Sequence, residues 1–241
     1  MQTEKVIRIK YSFNFNDAVE KNFVVNIEKE NLKIIIDEKE EYSEWTKLKY
    51  FKCPNCPLDL NKHKHCPVAI NLIDIIDFFS NMNSYENAEI KVETAQRTYI
   101  KKSTVQEGVS SIIGLIMPTS GCPIMGKLKP LVKFHLPFSS LEETEFRIFS
   151  MYLIAQYLKN IKGLNPDWEL KDLKNIYSDI IVINKNIAQK IAELEKKDAS
   201  INAVVILNNF ADSVSFSIDE KDLWNIEPLF KDLVNIEKQS G

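Results

Sequence analysis

YIKKSTVQEGVSSIIGLIMP, residues 99–118, is the stretch on which the fold turns. Tyr99 and Ile100 read as the return strand of a hairpin whose first arm carries Ala88, Ile90 and Val92 at alternate positions, the period of a half-buried strand. From Thr104 the pattern changes. Thr104-x-x-Glu107 has the form of a capping box, with side chains that satisfy the free N–H groups of a first helical turn. An apolar segment follows and ends near Pro118. Strand periodicity therefore lies before this point and helical periodicity after it. The predicted fold is α+β: residues 1–103 form an antiparallel sheet region with one helix, and residues 104–241 a mostly helical half.

Working back toward the N-terminus, Ile7, Ile9, Tyr11, Phe13 and Phe15 alternate with polar or small residues. Phe23 to Ile27 and Leu32 to Ile36 are short apolar runs joined by a turn at Lys29-Glu30-Asn31, so a second hairpin is expected. One helix interrupts the sheet. Pro67 suits a first helical position and leaves Cys66 as its N-cap, and Val68, Leu72, Ile73, Ile76 and Phe79 recur at helical spacing through Met82.

Working forward, Ser140-x-x-Glu143 is a second capping box and predicts a helix to about Asn160. Asn165-Pro166 is read as the start of a long helix through residue 196, with Ile176, Ile180, Ile183, Ile187, Ile191 and Leu194 along one face. Ser200 to Phe210 and Asp219 to Ile236 are expected to be two further helices, the last broken or restarted at Pro228. A helix of about 31 residues would span roughly 45 Å. Part of its stripe, Ile187 to Leu194, is therefore expected to meet a second copy in a two-fold homodimer. The helical half is also the expected surface for any protein partner. Between the helices, residues 118–138 hold four of the nine prolines and two of the six glycines, the composition of a structured loop.

The formal net charge of -3 and pI near 5.8 give no general attraction to nucleic acid or to an anionic membrane. The N-terminal residues have no continuous apolar core of a signal peptide, and unbroken apolar runs such as Ala203 to Leu207 are too short to cross a bilayer. A cytoplasmic protein is expected. No Gly-rich phosphate-binding pattern occurs.

The chemistry suggested by the sequence lies in its four cysteines, spaced Cys53-x2-Cys56-x9-Cys66-x55-Cys122. Each is followed by proline: Pro54, Pro57, Pro67 and Pro123. Proline fixes the chain direction and prepares a turn or helix start just after a thiolate. Cysteine followed by proline also occurs at ligands of ferredoxin-type clusters. The four are predicted to form one cofactor-binding, metal-ligating centre at the junction of the two halves. A single C-x2-C pair with two lone cysteines favours an iron–sulfur cluster used in sensing, regulation or electron transfer. The alternative is a zinc-stabilised binding or scaffold protein without catalysis. His63 offers a local variant, C-x2-C-x6-H-x2-C, that would leave Cys122 free. A second alternative is a thiol-dependent enzyme with Cys122 as nucleophile and His135 as base. Thr119, Ser120 and Gly121 are candidate donors to an anion, and Lys127, Lys129 and Lys133 candidate counter-charges. Trp45, Trp168 and Trp224 read as packing residues.

Overall fold

The computed structural model describes residues 5–15, 20–37, 39–194, 196–220 and 227–234. Its architecture is α+β, with an antiparallel five-stranded sheet in the N-terminal half and a mostly helical C-terminal half. The strands are β1 (Val6–Asn14), β2 (Glu20–Glu28), β3 (Ile34–Ile35), β4 (Asn87–Glu93) and β5 (Thr98–Thr104). They lie in the order β3-β2-β1-β4-β5. The central strand β1 thus pairs with β2 through a local hairpin and with β4 across a long insertion. That insertion carries α1 (Leu48–Phe51) and α2 (Pro67–Phe79). Of the two edge strands, β3 is two residues long, and β5 turns exposed Lys101 and Lys102 outward.

Alternation sorts the sheet into two faces. Ile9, Tyr11 and Phe13 of β1 are buried together with Phe23, Val25 and Ile27 of β2 and Ala88, Ile90 and Val92 of β4. This face receives α2, where Phe79 meets Phe13 edge-on at 5.1 Å and stacks on Phe23 at 5.7 Å between ring centroids. It also receives α3 (Val105–Thr119). Gly108 allows that approach: a Cβ there would lie 2.5 Å from Ile90 Cδ1 and 2.6 Å from Phe13 Cε1.

Residues are buried around nearly the whole circumference of α3, as befits a helix packed on both sides. Beyond it lie α6 (Lys171–Ala192) and α7 (Ala199–Glu220), packed on one another, with α7 also against α3. The loop of residues 118–138 folds into one 3-10 turn, Met125–Leu128, and the short α4 (Lys129–Lys133). Next comes α5 (Leu141–Ile161), followed after α7 by a 3-10 turn (Glu227–Phe230) and α8 (Lys231–Val234). One continuous core joins sheet and helices.

Several sequence expectations need correction. Thr104 is the N-cap of α3, but its side chain makes no cap bond; Glu107 is engaged instead by Ser103 and Lys101. The Ser140/Glu143 capping box is fully formed. Helix α6 starts at Lys171, not near Pro166, after Leu170 in a left-handed conformation (φ 61°). It is therefore shorter than expected, and Ile180, Ile183, Ile187 and Ile191 are buried within the chain. Of the stretch expected to meet a second copy, Ile187 and Ile191 are covered by this chain's own helices, while Leu194 is exposed. Helix α7 runs without a break to Glu220, ten residues beyond the expected end at Phe210; of the helix expected over 219–236, residues 221–226 and 235–236 lie outside the described residues, and 227–234 form the 3-10 turn and α8 that meet at Phe230 and Lys231. By length and composition alone, its Ala199–Asp219 segment, with mean hydropathy 1.3, suffices to cross a membrane. Unbroken apolar runs do not reveal this, because interspersed serines and asparagines divide the segment. Trp45 packs 5.7 Å from Phe51, Trp168 is largely exposed, and Trp224 lies outside the described residues.

Candidate functional site

Local backbone chemistry accounts for the position of every cysteine. Cys53 and Cys56 bracket a turn at Pro54-Asn55, closed by the Cys56 N–H donating to the Cys53 carbonyl at 3.0 Å. Cys66 is the N-cap of α2, with Pro67 in the first turn and no side-chain cap bond; the nearby backbone N–H groups of Ala69 and Val68 favour its thiolate slightly. Cys122 follows α3 and receives the N–H groups of Met125 and Ile124. Asn186 of α6 donates Nδ2–H to Cys53 Sγ at 3.3 Å. The prolines thus shape a turn and a helix start whether or not anything is bound.

All four cysteines are free thiols, Cys53 and Cys66 buried and Cys56 and Cys122 half-buried. They are neighbours, since a charge on Cys53 would be opposed by charge on Cys66, Cys122 and Cys56. Burial, more than that mutual repulsion, pushes the Cys53 thiol up to about 12 and the Cys66 thiol up to about 11. It raises Cys122 as well. At neutral pH these three are protonated and behave as small apolar groups. Coulombic influence reaches across many ångströms of low-dielectric interior, whereas metal ligands converge within about 2.3 Å of one ion. Among the described residues no group of three or more His, Cys, Asp or Glu side chains is arranged to hold a metal ion.

Among the described residues no histidine joins the cysteines in such a group. His63 is exposed. His65 Nδ1 lies 2.8 Å from Thr46 Oγ1, and its ring sits 5.3 Å from that of Tyr42. His135, the proposed base for Cys122, is sealed against Tyr11: the Tyr11 hydroxyl lies 2.6 Å from His135 Nε2 and 2.8 Å from Ser111 Oγ. Burial, helped by the Arg147 charge, lowers His135 to about 3, so it is neutral and already hydrogen-bonded. Thr119 and Ser120 donate to carbonyls of their own helix, while Lys127 lies 3.9 Å from Asp179 and Lys129 reaches the Asn31 carbonyl.

The site that the structure does build lies among the helices. A cavity of about 570 Å³ is bounded by α3, α5, α6 and α7, with α4 and the segment after it on one side. Met117, Met125, Leu128, Ile180, Leu207 and Phe210 supply much of its apolar wall. Polar side chains also line it, among them the charged Lys101, Glu107, Glu143 and Arg147. Arg147 holds the carbonyls of Leu131 and Phe134, each at 2.9 Å, through one guanidinium nitrogen. Tyr177 is buried, and burial holds its hydroxyl well above the ordinary tyrosine range. Asn184 borders the cavity at 2% exposure, and its Oδ1 has no hydrogen-bond partner. Phe138, at the same cavity, adopts a left-handed φ of 59°, a strained conformation for a bulky residue.

Sequence reasoning passed over this cavity, although one signal was available. Asn184 falls four residues after Ile180 and three before Ile187, inside an otherwise apolar stripe. A carboxamide there must be buried with the isoleucines around it.

Residues 9–231 match the family described as Domain of unknown function (DUF6901), and the chain belongs to that family. No curated protein and no solved structure matches the chain. The family description carries no function, and the described residues hold no metal-ligand group. The expected function is therefore corrected. A four-cysteine metal centre at Cys53, Cys56, Cys66 and Cys122, whether iron–sulfur cluster or zinc, is unsupported. So is a Cys122 enzyme, because His135 is paired with Tyr11 and burial keeps the Cys122 thiol protonated.

Proposed function

We propose that this chain is a binding protein for one small, mainly apolar molecule that carries a hydrogen-bond donor. The observation that carries this reading is the cavity of about 570 Å³ bordered by Asn184 with an unpaired Oδ1. Small-molecule pockets are concave, mostly apolar and roughly 300–1,000 Å³ in size, with a few polar groups that orient the ligand. A buried acceptor without a partner costs about 1–3 kcal/mol. A ligand O–H or N–H that meets Asn184 removes that cost, while apolar contact with Met117, Leu207 and Phe210 supplies affinity. The neutral state of His135 and the protonated state of Tyr177 keep the pocket free of charge on those two side chains. The burial of Tyr177 suits a ligand that leaves water.

The test uses the full chain and the fluorescent apolar probe 1-anilinonaphthalene-8-sulfonate, displaced by a series of medium-chain alcohols. The expected result is saturable one-to-one probe binding, competed by the alcohols. Ala211→Phe, which adds a ring from the α7 wall, should weaken binding at least ten-fold with unchanged circular dichroism. Probe binding that persists undiminished in a folded Ala211→Phe protein would overturn the proposal.

A further inference from the structure

We infer that the outward face of α5 is a docking surface for a second copy of this chain, joined in an antiparallel two-fold pair. This inference is independent of the cavity reading, because it concerns the face of α5 turned to solvent. Most amphipathic helices bury one stripe and expose polar residues opposite it. Helix α5 buries Ile148, Phe149, Tyr152 and Gln156, yet its opposite side is also apolar. Leu153, Ile154, Tyr157, Leu158 and Ile161 are 41–61% exposed, and Leu164 just beyond the helix is 56% exposed. They occur at the i, i+1, i+4, i+5, i+8 spacing of one continuous helix face.

Area and symmetry identify the occupant. Six large apolar side chains, each about half exposed, present roughly 500–600 Å² of contiguous apolar surface, at the upper end of what a monomer carries. A standard interface buries roughly 800 Å² per partner, and this apolar strip alone supplies about two-thirds of it. The strip is also self-complementary. A two-fold axis between Tyr157 and Leu158 places Ile154 opposite the partner's Ile161 and Tyr157 opposite the partner's Leu158. In that register Lys162 falls opposite the partner's Leu153, so no two like charges are brought together along the exposed strip. A membrane surface fits less well. The chain has a net charge of -3, and the first turn of α5 is acidic, with Glu142 and Glu143, so an anionic bilayer would repel this side.

The test is light scattering coupled to gel filtration, with analytical ultracentrifugation, on the full chain from 1 to 100 µM. The expected mass is twice the monomer's 27.9 kDa. Ile154→Glu, at an exposed position, should retain the native circular dichroism and weaken self-association at least hundred-fold. Adding Ile161→Lys to the same chain should restore the dimer, because each introduced carboxylate then faces an introduced ammonium group across the two-fold axis. A wild-type monomer at 100 µM would overturn the inference, as would a dimer indifferent to Ile154→Glu. Failure of the double variant to recover association would overturn the two-fold register. Co-sedimentation of monomeric wild-type protein with phosphatidylcholine vesicles would assign the strip to a bilayer and also overturn it.

Discussion

Asn184→Leu should make the protein more stable and a poorer binder at once. The side chain is 2% exposed, lies in the stripe of Ile180, Ile183 and Ile187, and has an unpartnered Oδ1. Leucine has the same branched outline, is somewhat larger, and has no polar atom to desolvate. Removing one unsatisfied buried group recovers about 1–3 kcal/mol. Packing of the larger methyl groups offsets part of that, by about 1 kcal/mol at the low end of overpacking costs, because the adjoining cavity gives them room. The net gain should be about 1 kcal/mol or slightly more. In a chain of this size each kcal/mol moves the midpoint by about 2–4 °C, so Tm should rise by about 2–5 °C in calorimetry. Displacement titrations on the same sample should show at least a ten-fold loss of affinity for the medium-chain alcohols, while 1-anilinonaphthalene-8-sulfonate still enters. Such a trade of binding for stability marks a residue kept for function. If Asn184→Leu lowers Tm by several degrees, the carboxamide is satisfied in the folded protein, and the reasoning that links it to a ligand fails.

Gly108→Ala should destabilise the fold by up to about 2 kcal/mol despite alanine's better helix propensity, because overpacking costs about 1–3 kcal/mol against a propensity gain of about 1 kcal/mol. The new Cβ would sit 2.5 Å from Ile90 Cδ1 and 2.6 Å from Phe13 Cε1, and an unchanged urea midpoint would mean that these fully buried side chains have room to move. For acid unfolding the sign is set by His135, whose folded value near 3 lies below the ordinary value of about 6.5. Its contribution is fully present above pH 6.5 and is lost as pH falls toward 3, at about 1.4 kcal/mol per pH unit within that window. His135→Gln should therefore show a shallower decline of stability between pH 6.5 and 4 than the wild type, and parallel pH profiles would refute the assignment.

The legible parts of the fold were those whose causes are local. Ile9, Tyr11 and Phe13 announce β1 because a strand in a one-sided sheet must alternate. Ser140 and Glu143 announce α5 because a capping box satisfies its own N–H groups within four residues. The start of α6 escapes a sequence reading because a tertiary anchor fixes it. The Asp167 carboxylate accepts the Asp172 N–H and the Tyr152 hydroxyl, both at 2.7 Å, and Tyr152 belongs to α5. Nothing near Pro166 reveals that pairing. In α7 the buried face continues through Ala211, Val214 and Ser217, residues small or polar enough to conceal a helix. The cysteine spacing was plain in the sequence, but the role of the following prolines was not, since a proline that starts a helix and one that supports a ligand look alike. The cavity is assembled from α3, α4, α5, α6 and α7, so no single window of sequence contains it.

The two sheet margins bear on how the chain behaves when crowded. An unpaired strand edge is a template for endless addition of further strands, the route to fibrils. Here one margin is shared between β3, only two residues long, and the part of β2 that β3 does not reach, which opens with the charged pair Glu20 and Lys21. The other, β5, presents Ile100 beside Lys101 and Lys102, and an incoming copy of the same strand would bring lysine against lysine. Replacing both lysines with valine would leave an uncharged, β-branched margin beside a folded core. A concentrated solution of that variant should gel or precipitate with bound thioflavin, whereas the native chain, whose margins refuse strand addition, should stay clear.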